Sequence, residues 1–398
     1  MTPILILLAS LSPARAAFKV PGYELVYSYP VESKLEEPDL RRADQVWPEM
    51  IDAAKKSVDI EQFYVVTKQG SLTDATVRAI ERAAKRGVKV RLMMEKFFFK
   101  IDPTSIESLA RLNAIPGVDA RAVAWADVNG AGFIHAKFIV VDSKVAFIGS
   151  HNFDWRALEH IHELGVKTDE PGIVSGTQSI FDHDWAVSLA TAPVKPDNEK
   201  RPEADRSPRS YLVASPWRLN PPGVGDSESE MVRIIGEAKS ELLMQNLEYS
   251  ARYVYDKPVR FYAPIDNALR DAALRGVKVN LLISNWSTDD RRIADLKALA
   301  LMPNVTIHVV TIPDPPSWKE HVPFTRTIHS KYMVVDGKVL WIGTSDWEGS
   351  YLDRFRNVEL VIKDEALAAR VAAIHKHLWD STYAAPLDVA KDYPKPFR

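Results

Sequence analysis

The chain has no cysteine among its 398 residues, which excludes disulfide staples and thiolate metal sites and leaves the redox compartment open. It also lacks an excess of either charge. Its 51 basic and 53 acidic side chains give a formal net charge of -2, and the sequence pI is near 6.6. That balance excludes the global basic field of a dedicated duplex-DNA binder, though not a local basic groove. No stretch is apolar for the eighteen or more residues that a membrane span requires. The N-terminal apolar run from Ile4 to Leu11 is short, and Ala14-Arg15-Ala16 follows it in the pattern of a signal-peptidase site, although no Lys or Arg precedes it. Residues 1–17 are therefore expected to be a secretory signal, with the mature chain secreted or periplasmic. If the segment is instead an ordinary first strand, the expected location is cytoplasmic.

What the chain does contain is a duplication. Residues 134–154 read IHAKFIVVDSKVAFIGSHNFD, and residues 328–347 read IHSKYMVVDGKVLWIGTSDW. The two stretches match at His135, Lys137, Asp142, Gly149 and Ser150 against His329, Lys331, Asp336, Gly343 and Thr344, with identical spacing. The surroundings repeat as well. Arg86-Gly87-Val88-Lys89-Val90 returns as Arg275-Gly276-Val277-Lys278-Val279, 189 residues later, and the two histidines lie 194 apart. A near-constant offset means that a whole unit was duplicated.

Each unit reads as helix, strand, helix, strand. In the first, an amphipathic helix over 45–56 leads to an alternating strand over 57–64, a helix over 72–86 closed by Gly87, and a buried strand over 88–94. The second repeats this with a helix over 231–239, a strand over 241–249, a helix over 263–275 and a strand over 277–283. Residues 193–228 are rich in Pro, Ser and charge and are expected to be a linker or surface excursion between halves at 18–192 and 229–398. A final amphipathic helix is expected over 364–379, with an irregular tail from Ser381. The fold class is α/β, with two sheets flanked by helices.

The repeated motif has a definite chemical content. His135 and Lys137 are two apart on an extended segment, so an imidazole and an ammonium leave the same face. After the chain turns, Ser150 and Asn152 can bring a hydroxyl and a carboxamide to the same end. Such a set suits a phosphoryl centre, where fixed positive charge and hydrogen-bond donors stabilise developing charge on oxygen. Two copies supply two histidines, one to attack phosphorus and one to protonate the departing oxygen. Asp142 and Asp336 lie in Val-Asp-Ser-Lys and Val-Asp-Gly-Lys, which is hairpin chemistry, and are expected to be structural. His151, His160 and His162 lack ligand spacing and are expected at the surface, and Lys85, Arg86, Lys89 and Arg91 are expected to form a solvated helix end and strand.

These motifs resemble those of the phospholipase D superfamily over nearly the whole chain, from about Ala43 to Trp379. Within it the chain is most similar to the branch of animal lysosomal phospholipase-D-like 5′ exonucleases and poxvirus envelope phospholipases. Residues 149–158 (GSHNFDWRAL), 163–166 (ELGV), 276–279 with 282–284, and 329–334 with 342–345 carry that likeness. The resemblance implies two pseudo-symmetric halves, one site at their interface, a phosphohistidine intermediate, and no metal or other cofactor. It also implies that Lys137, Lys331, Ser150, Thr344 and Asn152 hold the phosphate and that an acidic residue orients a histidine. Glu163, twenty-eight residues after His135, occupies the matching position.

The second copy departs from the family pattern. Asp346 stands where Asn is usual, and Asn357 stands twenty-eight residues after His329, with Glu359 two further on. His135, with Asn152 and Glu163 in its own half, is the favoured nucleophile on this reading. The expected activity is a phosphodiesterase that hydrolyses, or transfers to an alcohol, the distal phosphoester of a phospholipid. A single-stranded nucleic acid is the alternative substrate, and a non-catalytic lipid or nucleic-acid binding protein is the third reading. Phe97, Phe98, Phe99, Trp125, Trp286 and Trp347 are candidates to stack bases or cover acyl chains, with core the fate of at least half.

Overall fold

The computed structural model describes residues 17–395, so the segment expected to be a signal lies, Ala17 apart, outside the described residues. Two mixed sheets carry matching runs of strands. In the first the order is Tyr23–Ser28, Ile161–Thr168, Val145–Gly149, Phe138–Val141, Ser57–Gln62, Lys89–Glu95 and Val118–Val123. In the second it is Ser210–Ser215, Asn357–Lys363, Val339–Gly343, Lys331–Val335, Glu241–Asn246, Lys278–Ser284 and Val305–Val310. The last three strands of each run are parallel, joined by crossover helices, and the remainder are antiparallel. This is the α/β class read from the sequence.

Helices form where apolar residues recur at helical spacing. Thr73–Lys85 buries Val77, Ile80 and Ala83, and Pro264–Leu274 buries Ile265, Ala268, Leu269 and Ala272. These helices, with Ala43–Ala53 and Ser227–Glu237, cover the outer faces of the two sheets. The inner faces meet in a common core. Phe138, Ile148 and Leu164 from the first half share it with Tyr332, Ile342 and Leu360 from the second, and with helices Pro171–Val187 and Glu365–Trp379.

Two parallel contacts stitch the halves across their edges: Ile161 and His162 pair with Thr327 and Ile328, and Ile134 pairs with Arg356. Each histidine-bearing segment is thereby held against the other half. The motif glycines permit close strand approach: a Cβ on Gly149 would lie 2.6 Å from the Gly165 Cα, and one on Gly343 would lie 2.7 Å from the Val358 carbonyl oxygen. Asp142 accepts from the backbone N–H groups of Lys55, Lys56 and Ser57, and Asp336 from those of Lys239, Ser240 and Glu241. Both aspartates tie the end of a helix to a hairpin turn.

Two expectations are corrected here. The 193–228 span is not wholly a linker, because Ser210–Ser215 is a fully buried strand paired with Asn357–Lys363, and Ser227 already begins a helix. The Pro- and charge-rich flanks masked a short apolar strand, Tyr211-Leu212-Val213-Ala214. The tail is not wholly irregular either, since Ala384–Pro386 adds an antiparallel edge to Val305–Val310.

Candidate active site

The crossed edge contacts bring the two motifs to one place. His135 and His329 line a single cavity of about 320 Å³ together with Asn152, Asp346, Glu248, Tyr64 and Tyr351. Both histidines are buried, at 3 % and 7 % exposure, and both lysines are fully so. Lys137 Nζ donates to the His135 carbonyl at 2.6 Å, and Lys331 Nζ to the His329 carbonyl at 2.8 Å. Each ammonium is thus fixed beside its own imidazole by the two-residue spacing of the motif.

The orienting groups are exchanged between halves. Glu163 lies 2.9 Å from His329 Nδ1 through both carboxylate oxygens, while Asn357 Oδ1 lies 2.9 Å from His135 Nδ1. The assumption that Glu163 serves the histidine of its own half is therefore corrected. Pairing of Ile161–His162 with Thr327–Ile328 carries the start of the Glu163 strand to His329, and pairing of Ile134 with Arg356 carries His135 to Asn357. Glu163 thus orients the second imidazole, His329, and Asn357 holds the first, His135. Asn357 Nδ2 donates to the carbonyls of Tyr351 and Phe355, and Thr344 Oγ1 donates to its Oδ1. The amide oxygen must therefore accept from an Nδ1–H, which leaves the His135 Nε2 lone pair free.

Thr344 and Ser150 were expected to hold phosphate, but their hydroxyls are occupied behind the histidines. Thr344 bonds Asn357 and the Val358 N–H, and Ser150 bonds the backbone of Leu164 beside Glu163. Asn152 does face the cavity: its Nδ2 donates to the Tyr64 hydroxyl at 3.2 Å, and its Oδ1 has no partner. Asp346 Oδ1 accepts from the Glu248 N–H at 3.0 Å and lies 3.5 Å from Lys331 Nζ, while Oδ2 is buried without a hydrogen-bond partner. Glu359 points elsewhere, onto Ser345 and Ser227, and burial pushes its carboxyl up to about 7.

Burial dominates the electrostatics. It holds both imidazoles well below the usual histidine range, helped by the charges of Lys137 and Lys331. It also pushes the Glu163 carboxyl well up and lowers both lysines. The Asp346 carboxyl rises to about 6 through burial, against the pull of Lys331. Among the described residues no cluster of three or more His, Cys, Asp or Glu side chains is placed to hold a metal ion.

The three other histidines are not at the surface. His151 and His162 are fully buried and His160 is 7 % exposed. His151 packs against Trp47 and Phe147, His162 against Tyr27 with its Nδ1 near Ser330, and His160 against Trp155 and Trp318. They serve as aromatic packing, which spacing alone does not reveal. Arg91 likewise is engaged with Asp59 and Asp182 rather than solvated. Of the named aromatics, Phe97, Phe98 and Trp286 line the cavity, Trp125 and Trp347 are core, and Phe99 packs on the outer face of the first sheet. Sequence reasoning missed Phe63, Tyr64, Phe133, Tyr255, Phe324 and Tyr351, which add their rings to the wall.

A family model described as "Cardiolipin synthase, PLD-like domain" matches residues 48–185 and 231–379. The chain is 30 % identical over 367 residues to Phospholipase D Z of Dictyostelium discoideum, covering 86 % of this chain and 85 % of that one. The chain belongs to the phospholipase D superfamily. It is also 30 % identical to a 5'-3' exonuclease PLD3 of Bos taurus, over 87 % of this chain and 76 % of that one. Among solved structures, a phosphatidylserine synthase of Haemophilus influenzae shares the phospholipase D-like fold with a TM-score of 0.57 at 12 % identity, covering 86 % of this chain and 85 % of that chain. The duplicated His-x-Lys motifs of this phospholipase D-like chain are thus the two halves of one cavity. Both lie inside the matched segments.

Proposed function

We propose that the chain is a phosphodiesterase that cleaves the distal phosphoester of a phospholipid through a phosphohistidine, by hydrolysis or by transfer to an alcohol. The observation that carries this is the pair of imidazoles sharing one buried, largely apolar cavity with their Nδ1 atoms hydrogen-bonded from opposite halves. His135 Nε2 attacks phosphorus as the bond to the leaving oxygen breaks, and His329 Nε2–H passes its proton to that oxygen. A water or alcohol, deprotonated by His329, then attacks the phosphohistidine. The P–N bond breaks and the phosphate product leaves. His135 suits the first role because a neutral amide holds it in the nucleophilic tautomer. His329 suits the second because Glu163, its carboxyl pushed up by burial, keeps a proton between itself and Nδ1, so that the ring carries an Nε2–H to give up. Lys137 and Lys331 balance the negative charge of the phosphoryl oxygens, and Asn152 donates to them.

Apolar walls built from Phe63, Phe98, Phe133, Leu247 and Trp286 favour acyl chains and glycerol esters as the ground of recognition. A single-stranded nucleic acid is the second reading, since Phe97 and Phe133 are stacked and offer ring faces to bases. Turnover of phosphatidylcholine, phosphatidylglycerol and 5′-hydroxyl single-stranded DNA by wild type, His135→Asn and His329→Asn decides between them. The proposal expects lipid turnover that each substitution abolishes, and lipid turnover retained in either variant would refute the two-histidine scheme. The signal reading of residues 1–17, and with it a secreted or periplasmic location, is tested by N-terminal sequencing of the exported chain.

A further inference from the structure

The large apolar side chains that the fold leaves exposed are unevenly placed. Among the described residues five of the ten are Phe97 (47 %), Ile101 (42 %), Tyr255 (42 %), Val259 (48 %) and Phe261 (72 %). They sit on two short segments, the turn Lys96–Lys100 with Ile101 after it, and the hairpin whose strands are Arg252–Tyr253 and Arg260–Phe261. Phe97, Ile101 and Tyr255 also line the catalytic cavity, so the exposed apolar surface begins at its mouth. Phe133 joins the segments, stacked on Phe97 at 6.2 Å and edge-on to Tyr255 at 6.3 Å. An adjoining groove of about 470 Å³ shares Phe97, Phe133 and Tyr255 with the cavity and adds Lys96, Lys100 and Arg354 to its wall.

The charge on these segments is basic in effect. Asp256, the acidic side chain of the hairpin, is held by Arg260 at 2.7 Å and Arg354 at 2.6 Å. Exposed Lys96, Lys100 and Lys257 are left to act outward. We propose that the Lys96–Ile101 turn and the 252–261 hairpin form an interfacial surface that seats the cavity mouth on an anionic phospholipid bilayer. This rests on the phospholipid reading of the cavity. Exposed apolar side chains ringed by lysines match a membrane whose headgroups are negative and whose interior is apolar. A nucleic acid fits less well, because Ile101 and Val259 offer no ring face for a base and the chain has no global basic field. A second copy fits less well too, since a two-fold contact through this surface would oppose lysine to lysine.

The test is co-sedimentation of the full chain with vesicles of phosphatidylcholine alone, and of phosphatidylcholine mixed with phosphatidylglycerol. Hydrolysis of soluble bis-p-nitrophenyl phosphate is followed in parallel. Binding is expected to the mixed vesicles and to weaken about fivefold for each basic charge removed, as in Lys257→Gln. Val259→Ser and Phe261→Ser are each expected to weaken it on the order of tenfold while leaving soluble-substrate turnover unchanged. Equal binding of these variants, or no binding by wild type, would overturn the proposal. So would single-stranded DNA binding, or a concentration-dependent dimer, that these same substitutions abolish. Vesicle binding by a protein that cleaves only nucleic acid would leave the docking surface standing and refute the phospholipid reading, so the two failures are distinguishable.

Discussion

Replacing Asp346 with Asn tests the electrostatics of the site directly. The Asp346 carboxyl faces Lys331 at 3.5 Å, Lys137 and His329 beyond it, and Glu248 through the backbone, with Tyr351 on the same wall. Its pKa of about 6 means that it is ionised at neutral pH, where it offsets a cation that the phosphate requires. A phosphodiester must then bind with proton uptake. Each pH unit above the Asp346 pKa costs about 1.4 kcal/mol, a factor of ten. The penalty saturates at the repulsion itself. A carboxylate roughly 5 Å from a phosphate at an effective dielectric near 20 costs about 3 kcal/mol, or on the order of a hundredfold. Wild-type kcat/KM should therefore fall about tenfold per unit above pH 6 and level off near a hundredfold loss by about pH 8. Asp346→Asn should abolish this decline and exceed wild type at pH 8. The assay is initial-rate kinetics on a soluble phosphodiester from pH 5 to 8. Lys137, whose pKa burial also lowers, would produce a decline of the same sign. So would loss of the proton that Glu163 shares with His329, and a slope that survives in Asp346→Asn would therefore belong to one of these groups and refute the argument. A wild-type rate that climbs through this range would refute it as well.

Other substitutions probe separate parts of the site. Glu163→Gln should lower cleavage of an ester with a poor leaving group by about 10²–10⁴-fold, the usual worth of general acid catalysis, yet spare a p-nitrophenyl ester. If Glu163→Gln lowers both substrates equally, His329 is not the acid. Arg356→Met should destabilise the fold by about 3–5 kcal/mol in urea denaturation, because it leaves Asp184, now 2.7 Å from the guanidinium and buried, with only the His183 imidazole at 2.6 Å as its ionic partner. A loss below about 1 kcal/mol would show that Asp184 is neutralised without Arg356. Because two lysines supply the positive charge, EDTA should leave turnover unchanged, and restoration of a lost rate by added zinc or magnesium would contradict that account.

Much of this organisation is written in the repeat itself. The duplicated helices and strands followed from period and offset, the hairpin aspartates from their turn context, and the meeting of both motifs in one site from the family resemblance. What did not follow depended on contacts between halves. A pseudo-two-fold pair fits equally well whether each orienting residue serves its own histidine or the other one, and only the pairing of Ile134 with Arg356 and of Ile161 with Thr327 decides. The burial of His151 and His162 depends on Trp47 and Tyr27, distant in sequence. The Ser210–Ser215 strand was hidden because Pro and charged residues surround it. Asp346 was legible as an anomaly, but its contact with Lys331 and its unpartnered oxygen required the packed cavity.

The central claim is a covalent intermediate on one of two histidines that share a site. It is tested most directly by quenching turnover of a labelled phosphodiester in alkaline denaturant and mapping the label by mass spectrometry. The account predicts phosphate on His135 in wild type, accumulating in His329→Asn on a substrate with a good leaving group. Label on His329 would reverse the assignment of roles, and label on no histidine would contradict the covalent mechanism.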